Sequence, residues 1–454
     1  MIAMEKSIWN TIDRKKAFDF CGGYINFLNK SKTERLCTDY SIYLAEEKGF
    51  SELENAKALK PGDKVYAVNR QKSIVFAVIG KDDIANGINL VAAHIDSPRL
   101  DLKPNPVYED LGIAMAKTHY YGGIKKYQWT TIPLSLIGTV VKENGEIVEI
   151  NIGEDDDDPV FTITDLLPHL AADQMTKKMG QFMSGEDLNA VLGSLTNDDE
   201  KDKVKGSILA LLKDKYGIEE EDFISSELVF VPSFKAKSVG LDSSFVGSYG
   251  QDDRVCAYTS FEAILNIENP EKTCVCYLAD KEEIGSMGST GTKSRFLETF
   301  IAHLIKSVKG DYNELYLKDC LGASKCLSAD VTAGYDPNYK SVCEEQNSAY
   351  MGGGLCICKY TGSRGKSGTS DANAEFVSEI RRIFNSNGVK WQIAELGKVD
   401  QGGGGTVAQY IANMNVETLD CGVPILSMHS PFELASKADI YMGYLGYKAF
   451  LESK

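Results

Sequence analysis

The chain has 454 residues, 43% hydrophobic and 25% charged, an ordinary balance for a globular protein with room for two domains or one elaborated one. A formal net charge of -16 argues against nucleic-acid and anionic-membrane partners, and no apolar run approaches the ~18 residues of a membrane span. The 11 cysteines show no paired C-x-x-C spacing and no secretory signal is visible, which predicts reduced thiols and a cytoplasmic location.

Residues 17–48 read as helical, with a break near 31–33. Two apolar strands follow at 73–79 and 88–93, and the second delivers His94 at its carboxyl end. From about residue 105 the character changes. Residues 107–152 are rich in β-branched and aromatic side chains with glycine pairs and turns, and the acidic run at 154–158 reads as a solvated loop. Segments 166–183 and 188–215 read as helices, with a charged, poorly patterned stretch at 197–205, and 228–232 reads as a short strand.

From Gly250 onward strands and helices alternate. Val255, Tyr258, Phe261 and Leu265 share one helical face. Segments 273–279, 324–329 and 354–360 read as buried strands, 370–386 as a helix, and 391–394 and 416–419 as further strands. Cys274 with Cys276, and Cys356 with Cys358, sit two apart in these runs and read as core packing. The string Ser430-Pro431-Phe432-Glu433 has the pattern of a helix start, with Ser as N-cap, Pro at N1 and Glu at N3, and the last helix then runs to about 451.

This alternation predicts an α/β fold with a mixed, mostly parallel sheet flanked by helices. Residues 1–105 and 246–454 would form that domain, and 106–245 would be an inserted β-rich domain. Ligands of such sheets bind beyond the carboxyl ends of the strands. His94-Ile95-Asp96, Glu282-Glu283 and Asp330 stand at such ends, Asp252-Asp253 opens a helix, and His429 lies between a strand and the last helix. Each cluster alone has an ordinary reading: a satisfied histidine, a solvated N-cap pair, exposed loop acids. Together they form an oxygen-rich set with two imidazoles, which suits two zinc ions sharing a carboxylate bridge.

Within that set, Asp96 can fold back on His94 and fix its tautomer. Glu282 and Glu283 point in different directions, so one can bind metal while the other serves as general base. Of the remaining histidines, His119 and His303 read as structural or surface residues. The glycine run at 401–405 reads either as a flexible loop or as backbone approaching a substrate or neighbouring loop. No Lys-Ser/Thr follows it, so it is not a phosphate loop.

The segments Ala93-His94-Ile95-Asp96-Ser97-Pro98-Arg99, Asp280-Lys281-Glu282-Glu283-Ile284-Gly285-Ser286, Ser328-Ala329-Asp330 and Met428-His429-Ser430 resemble the aspartyl aminopeptidase family of cocatalytic-zinc exopeptidases. The resemblance runs from about residue 20 to the end and is weakest through 106–245. It implies an aminopeptidase acting on peptides, with two zinc ions per subunit that cobalt or manganese can replace. His94 and Asp330 would hold one ion, Glu283 and His429 the other, and Asp252 would bridge them. Glu282 would be the general base and Asp96 the partner of His94. The resemblance further implies that the insertion carries dimerisation and that dimers build a homo-oligomer, typically a dodecamer.

Lys366 stands where the family's substrate-contacting lysine is expected, although the following residues 367–371 depart from the usual pattern. His169 is the second candidate substrate contact. It lies in Pro168-His169-Leu170-Ala171-Ala172-Asp173, where Asp173 falls near the position of a histidine that in relatives reaches a neighbouring active site. Lys366 favours acidic first residues, Asp or Glu, which is the leading expectation; the altered residues 367–371 and Asp173 favour the alternative, neutral ones such as Leu. A deacylase on the same metal frame is the alternative enzyme. A non-catalytic scaffold is the other alternative, and the presence of Glu282 argues against it.

Overall fold

The computed structural model describes residues 7–56, 58–196 and 203–454. The chain divides into two compact units, one of residues 1–96, 236–428 and 432–454, the other of 97–235 and 429–431. Both divisions fall earlier than the 106 and 245 that composition suggests. The strand Arg99–Asp110 already pairs with Ile113–Tyr121 and Ser226–Pro232, so sheet pairing sets the division and the change in residue usage lags behind it.

The first unit is built on a nine-stranded sheet. Its centre is parallel: Cys274–Ala279, Asn89–His94, Lys325–Ser328 and Glu417–Gly422 lie side by side in that order. Antiparallel strands join on both sides, so the sheet is mixed and mostly parallel. Strand period decides which face each residue covers. In Asn89–His94, Val91 and Ala93 join one apolar cluster with helices Arg14–Lys30, Gln251–Leu265, Ala374–Ser386 and Lys437–Leu451. Leu90 and Ala92 join the other, with helices Phe296–Lys309 and Glu314–Ala323. All six residues of Asn89–His94 are buried, as a strand covered on both faces requires.

The break expected near 31–33 separates helices Arg14–Lys30 and Glu34–Glu47, with Thr33 accepting the amide of Leu36 as N-cap. The expected helix start at Ser430 is corrected by the structure. Residues Glu433–Ser436 form a strand, antiparallel to Phe245–Ser248 and Pro424–Leu426, and the helix begins only at Lys437. The ladder satisfies the backbone of these residues before a helix can, and tertiary pairing overrides the local cap pattern.

The second unit carries a six-stranded sheet in the order Ile147–Ile152, Leu134–Val141, Ser226–Pro232, Arg99–Asp110, Ile113–Tyr121 and Ala190–Gly193, antiparallel throughout. The two helices expected here are also corrected. Residues 166–183 hold only short 3-10 turns and the four-residue helix Ala172–Met175. Leu166, Leu167, Leu170, Met175 and Met179 are exposed, so no packed face supports a longer helix. Of the expected helix at 188–215, Ala190–Gly193 is an edge strand and Lys203–Tyr216 is helical. Residues 197–202 of the charged stretch lie outside the described residues.

Candidate active site

Strand register brings the first unit's functional residues to one level. Ala279 pairs with His94, and Ser328 pairs with Ala92. Asp330, two residues past Ser328, therefore arrives level with His94. Beyond Ala279 the chain turns back at once. Lys281 at φ 65 and Gly285 at φ 90 bracket the 3-10 turn Glu282–Ile284, and the amide of Ser286 returns to the carbonyl of Lys281 at 2.6 Å.

His94 is the hub, and it is 1% exposed. Its Nε2 lies 3.2 Å from Asp252 Oδ1, 3.8 Å from Asp330 Oδ1 and 4.0 Å from Glu282 Oε2. Its Nδ1 lies 3.1 Å from the Asp96 carbonyl and 3.2 Å from Asp96 Oδ1. The Asp96 carboxylate also accepts the amides of Glu282 and Glu283, at 3.1 and 3.2 Å. Asp252 opens the helix Gln251–Leu265, where its own φ/ψ of −80/106 is not helical. Its amide donates to Glu433 Oε2 at 3.1 Å. Asp253 Oδ2 accepts the amide of His94 at 3.3 Å.

So many carboxylates around one imidazole perturb one another. Burial pushes the Glu282 carboxyl up to about 8, and the charge of Asp330 adds to it. Burial and then Asp330 hold the Asp253 carboxyl well above the ordinary range. Burial pulls the His94 imidazole down, but Asp252, Asp330 and Asp96 outweigh it and hold the ring well above its usual value. Protons and a divalent cation compete for such a place. His94, Asp252 and Asp330 each offer one ligand atom, and these lie within 4.8 Å of one another. Imidazole with hard carboxylate oxygens is a donor set that zinc accepts, so the residues present fit the metal.

Glu283 is partly buried beside Glu282, with its amide held by Asp96. His429 belongs to the second unit, where its Nδ1 lies 2.8 Å from the carbonyl of Gly123. Such a bond on one ring nitrogen leaves Nε2 for a ligand. Lys366 is engaged within its own loop. Its Nζ lies 2.8 Å from Asp371 Oδ2 and 3.8 Å from the centre of the Tyr360 ring. His169 stands exposed on the 3-10 turn Pro168–Leu170 of the second unit.

The glycine run serves a close approach of two loops. Gly403 and Gly404 pair with Ser363 and Gly362. A Cβ at Gly402 would collide with the Leu396 carbonyl, and one at Gly403 with that of Gly362. Beside the cluster, Glu433 escapes the sequence reading, where it looks like a helix-capping acid, and Asp253 reads only as one of an acidic pair with Asp252. No local pattern marks Glu433, because the strand pairing that buries it is long-range.

A family model described as "Aminopeptidase I zinc metalloprotease (M18)" matches residues 27–451. A probable M18 family aminopeptidase 1 from Clostridium acetobutylicum is 52% identical over 457 residues, covering 99% of this chain and 98% of that protein. The crystal structure of an M18-family aminopeptidase from Thermotoga maritima superposes with a TM-score of 0.96 at 45% identity, covering 99% of both chains. That of aminopeptidase I from Clostridium acetobutylicum gives 0.93 at 48% identity, again over 99% of both chains. On this match, and with a zinc-fitting cluster at the strand ends, the chain belongs to the M18 family of zinc aminopeptidases, metal-dependent hydrolases of peptide bonds.

Proposed function

We propose that the protein removes single amino acids from the free amino termini of peptides with two zinc ions per subunit, and that it favours neutral first residues. His94 and Asp330 would hold one ion and Glu283 and His429 the other, with Asp252 serving both. Cobalt or manganese would substitute in part. The observation that carries this reading is the set of three carboxylates, Asp252, Asp330 and Glu282, gathered within 4.0 Å of a single buried nitrogen of His94.

Zinc supplies Lewis acidity and a water acidified toward ~7. Glu282 does the proton work. Its carboxylate takes the water proton as the water adds to the scissile carbonyl, then passes that proton to the leaving amine, an exchange worth ~10²–10⁴-fold. Asp96 holds the backbone of Glu282 and Glu283 and the ring of His94, so base and ligands share one anchor.

Preference for neutral side chains is supported by two observations. Lys366 is engaged by Asp371, a carboxylate it shares with Lys359, and so is turned to its own loop and not toward a substrate side chain. Asp173, near the position where the family resemblance expects a histidine, would present a further carboxylate that repels an acidic side chain. Assembly is assigned to residues 97–235, whose exposed Leu166, Leu167, Leu170, Met175 and Met179 are costly to leave in water. Dimers formed there would build a dodecamer. Among the described residues no helix is long and apolar enough to cross a membrane. All 11 cysteines are free thiols, which supports a cytoplasmic place of action.

A panel of aminoacyl-amides, free and N-acylated, tests the reading. Turnover restricted to free amines, fastest with Leu or Met, supports it. Equal turnover of blocked substrates would point to the deacylase instead.

A further inference from the structure

Glu433 is 1% exposed, among the most buried acids of the first unit. It lies on the short strand Glu433–Ser436, and the register with Phe245–Ser248 sets it opposite Ser248, two residues before the turn into helix Gln251–Leu265. Its Oε2 accepts the amide of Asp252 at 3.1 Å. The neighbouring Gln251 closes the arrangement. Its Nε2 donates to the carbonyls of Glu433 and Val246, at 2.7 and 3.1 Å, and its Oε1 accepts the hydroxyl of Tyr24 at 3.2 Å.

The amides of a first helical turn have no partner within the helix. At helix starts a Ser, Thr, Asn or Asp side chain at the exposed cap, or water, takes them at little cost. Here a fully buried carboxylate does so, close to Asp252, Asp253 and the His94 cluster. Burying another negative charge in that place is costly unless cations are near. The backbone of Asp252 also departs from helical φ/ψ at this point, so its side-chain direction is not fixed by the helix. Something outside the helix must set it, and its amide is held by the carboxylate of Glu433.

We propose that Glu433 is a positioning residue of the metal centre: through the amide of Asp252 it fixes the direction of the carboxylate that bridges the two ions. It acts on a ligand's backbone, much as Asp96 acts on the backbone of Glu282 and Glu283. The inference rests on the dizinc reading, since it gives Asp252 the bridging role.

The test compares Glu433→Met, which keeps bulk but has no oxygen acceptor, with Glu433→Gln, whose side-chain oxygen can still accept the amide. Zinc affinity of the folded protein is measured by competition with a coloured chelator, alongside zinc content and the melting temperature of the metal-free form. Loss of an outer partner of a metal site costs 10–100-fold in affinity. Glu433→Met is expected to weaken zinc binding by about that much, and Glu433→Gln to restore most of it. Wild-type zinc affinity in a folded Glu433→Met protein overturns the proposal, because a merely structural residue would lower only the metal-free melting temperature. Equal loss in Glu433→Gln and Glu433→Met also overturns it, since the charge and not the hydrogen bond would then matter. If Glu433→Met does not fold, Glu433→Gln alone decides: near-wild-type affinity supports the proposal and a tenfold or greater loss contradicts it. Wild-type protein is assayed in parallel. One ion per chain there sinks the dizinc reading, whereas the Glu433 result concerns only how Asp252 is held.

Discussion

The carboxylate of Asp96 accepts the amides of both Glu282 and its neighbour Glu283, at 3.1 and 3.2 Å, while its Oδ1 lies 3.2 Å from His94 Nδ1. One buried side chain thus links the strand carrying His94 to the turn carrying Glu282 and Glu283. Substitution should therefore damage more than the tautomer of His94. Asp96→Asn presents one donor where two acceptors are needed, and should lose 10–100-fold in zinc affinity and also lower turnover of the reloaded enzyme. Zinc titration with kcat measured at saturating metal separates the two effects. Full kcat at saturating zinc would leave Asp96 as a partner of His94 only.

Glu282→Gln should keep its metal and lose turnover by about 10²-fold or more, because the amide cannot accept the water proton. Glu283→Gln should instead lose metal. Zinc content and kcat are read on the same preparations. Near-normal turnover in Glu282→Gln with unchanged zinc would move the base role to another residue.

Lys366 and Asp371 form a part-exposed pair, and such pairs contribute about 0–1 kcal/mol. Lys366→Ala should change the ratio of kcat/KM for Leu-amide over Asp-amide by less than about fivefold, the equivalent of that energy. The wild-type ratio should favour Leu. A selective collapse of Asp-amide and Glu-amide turnover in the variant would restore the acidic preference.

Asp439 makes the fold itself sensitive to pH. Burial lifts its carboxyl from 3.8 to about 8, although the amides of Gly352 and Gly354, both at 2.7 Å, pull it the other way. A group that holds its proton more tightly when folded stabilises the fold below its unfolded pKa and loses that contribution as pH rises through its folded value. In the metal-free protein, the melting temperature of wild type minus that of Asp439→Asn should therefore shrink as pH rises from 3.8 toward about 8. A constant difference across that range would contradict the assignment.

Much of this was legible in the sequence because the signals are local. Asn89–His94 and Cys274–Ala279 are apolar runs of strand length, and the polar residues follow directly, so their ends could be read to within a residue or two. Thr33 marked a helix boundary by its own side chain. The signals failed where partners distant in sequence decide. Ser430 through Glu433 carries a sound capping pattern, yet pairing with Phe245–Ser248 makes Glu433–Ser436 a strand. The apolar spacing over 166–183 looked helical, but those side chains are exposed in the chain by itself. Lys366 was singled out by the resemblance despite its altered flank, whereas its engagement with Asp371 and the Tyr360 ring could not be foreseen from the sequence alone.

Metal stoichiometry bears most directly on the central claim. The protein is stripped with a chelator, zinc is returned in measured equivalents, and bound metal and Leu-amide turnover are followed together. The account predicts that activity is abolished by stripping, and that it reaches its plateau only as the second equivalent per chain binds. Full activity with one ion per chain or fewer would contradict a centre bridged by Asp252.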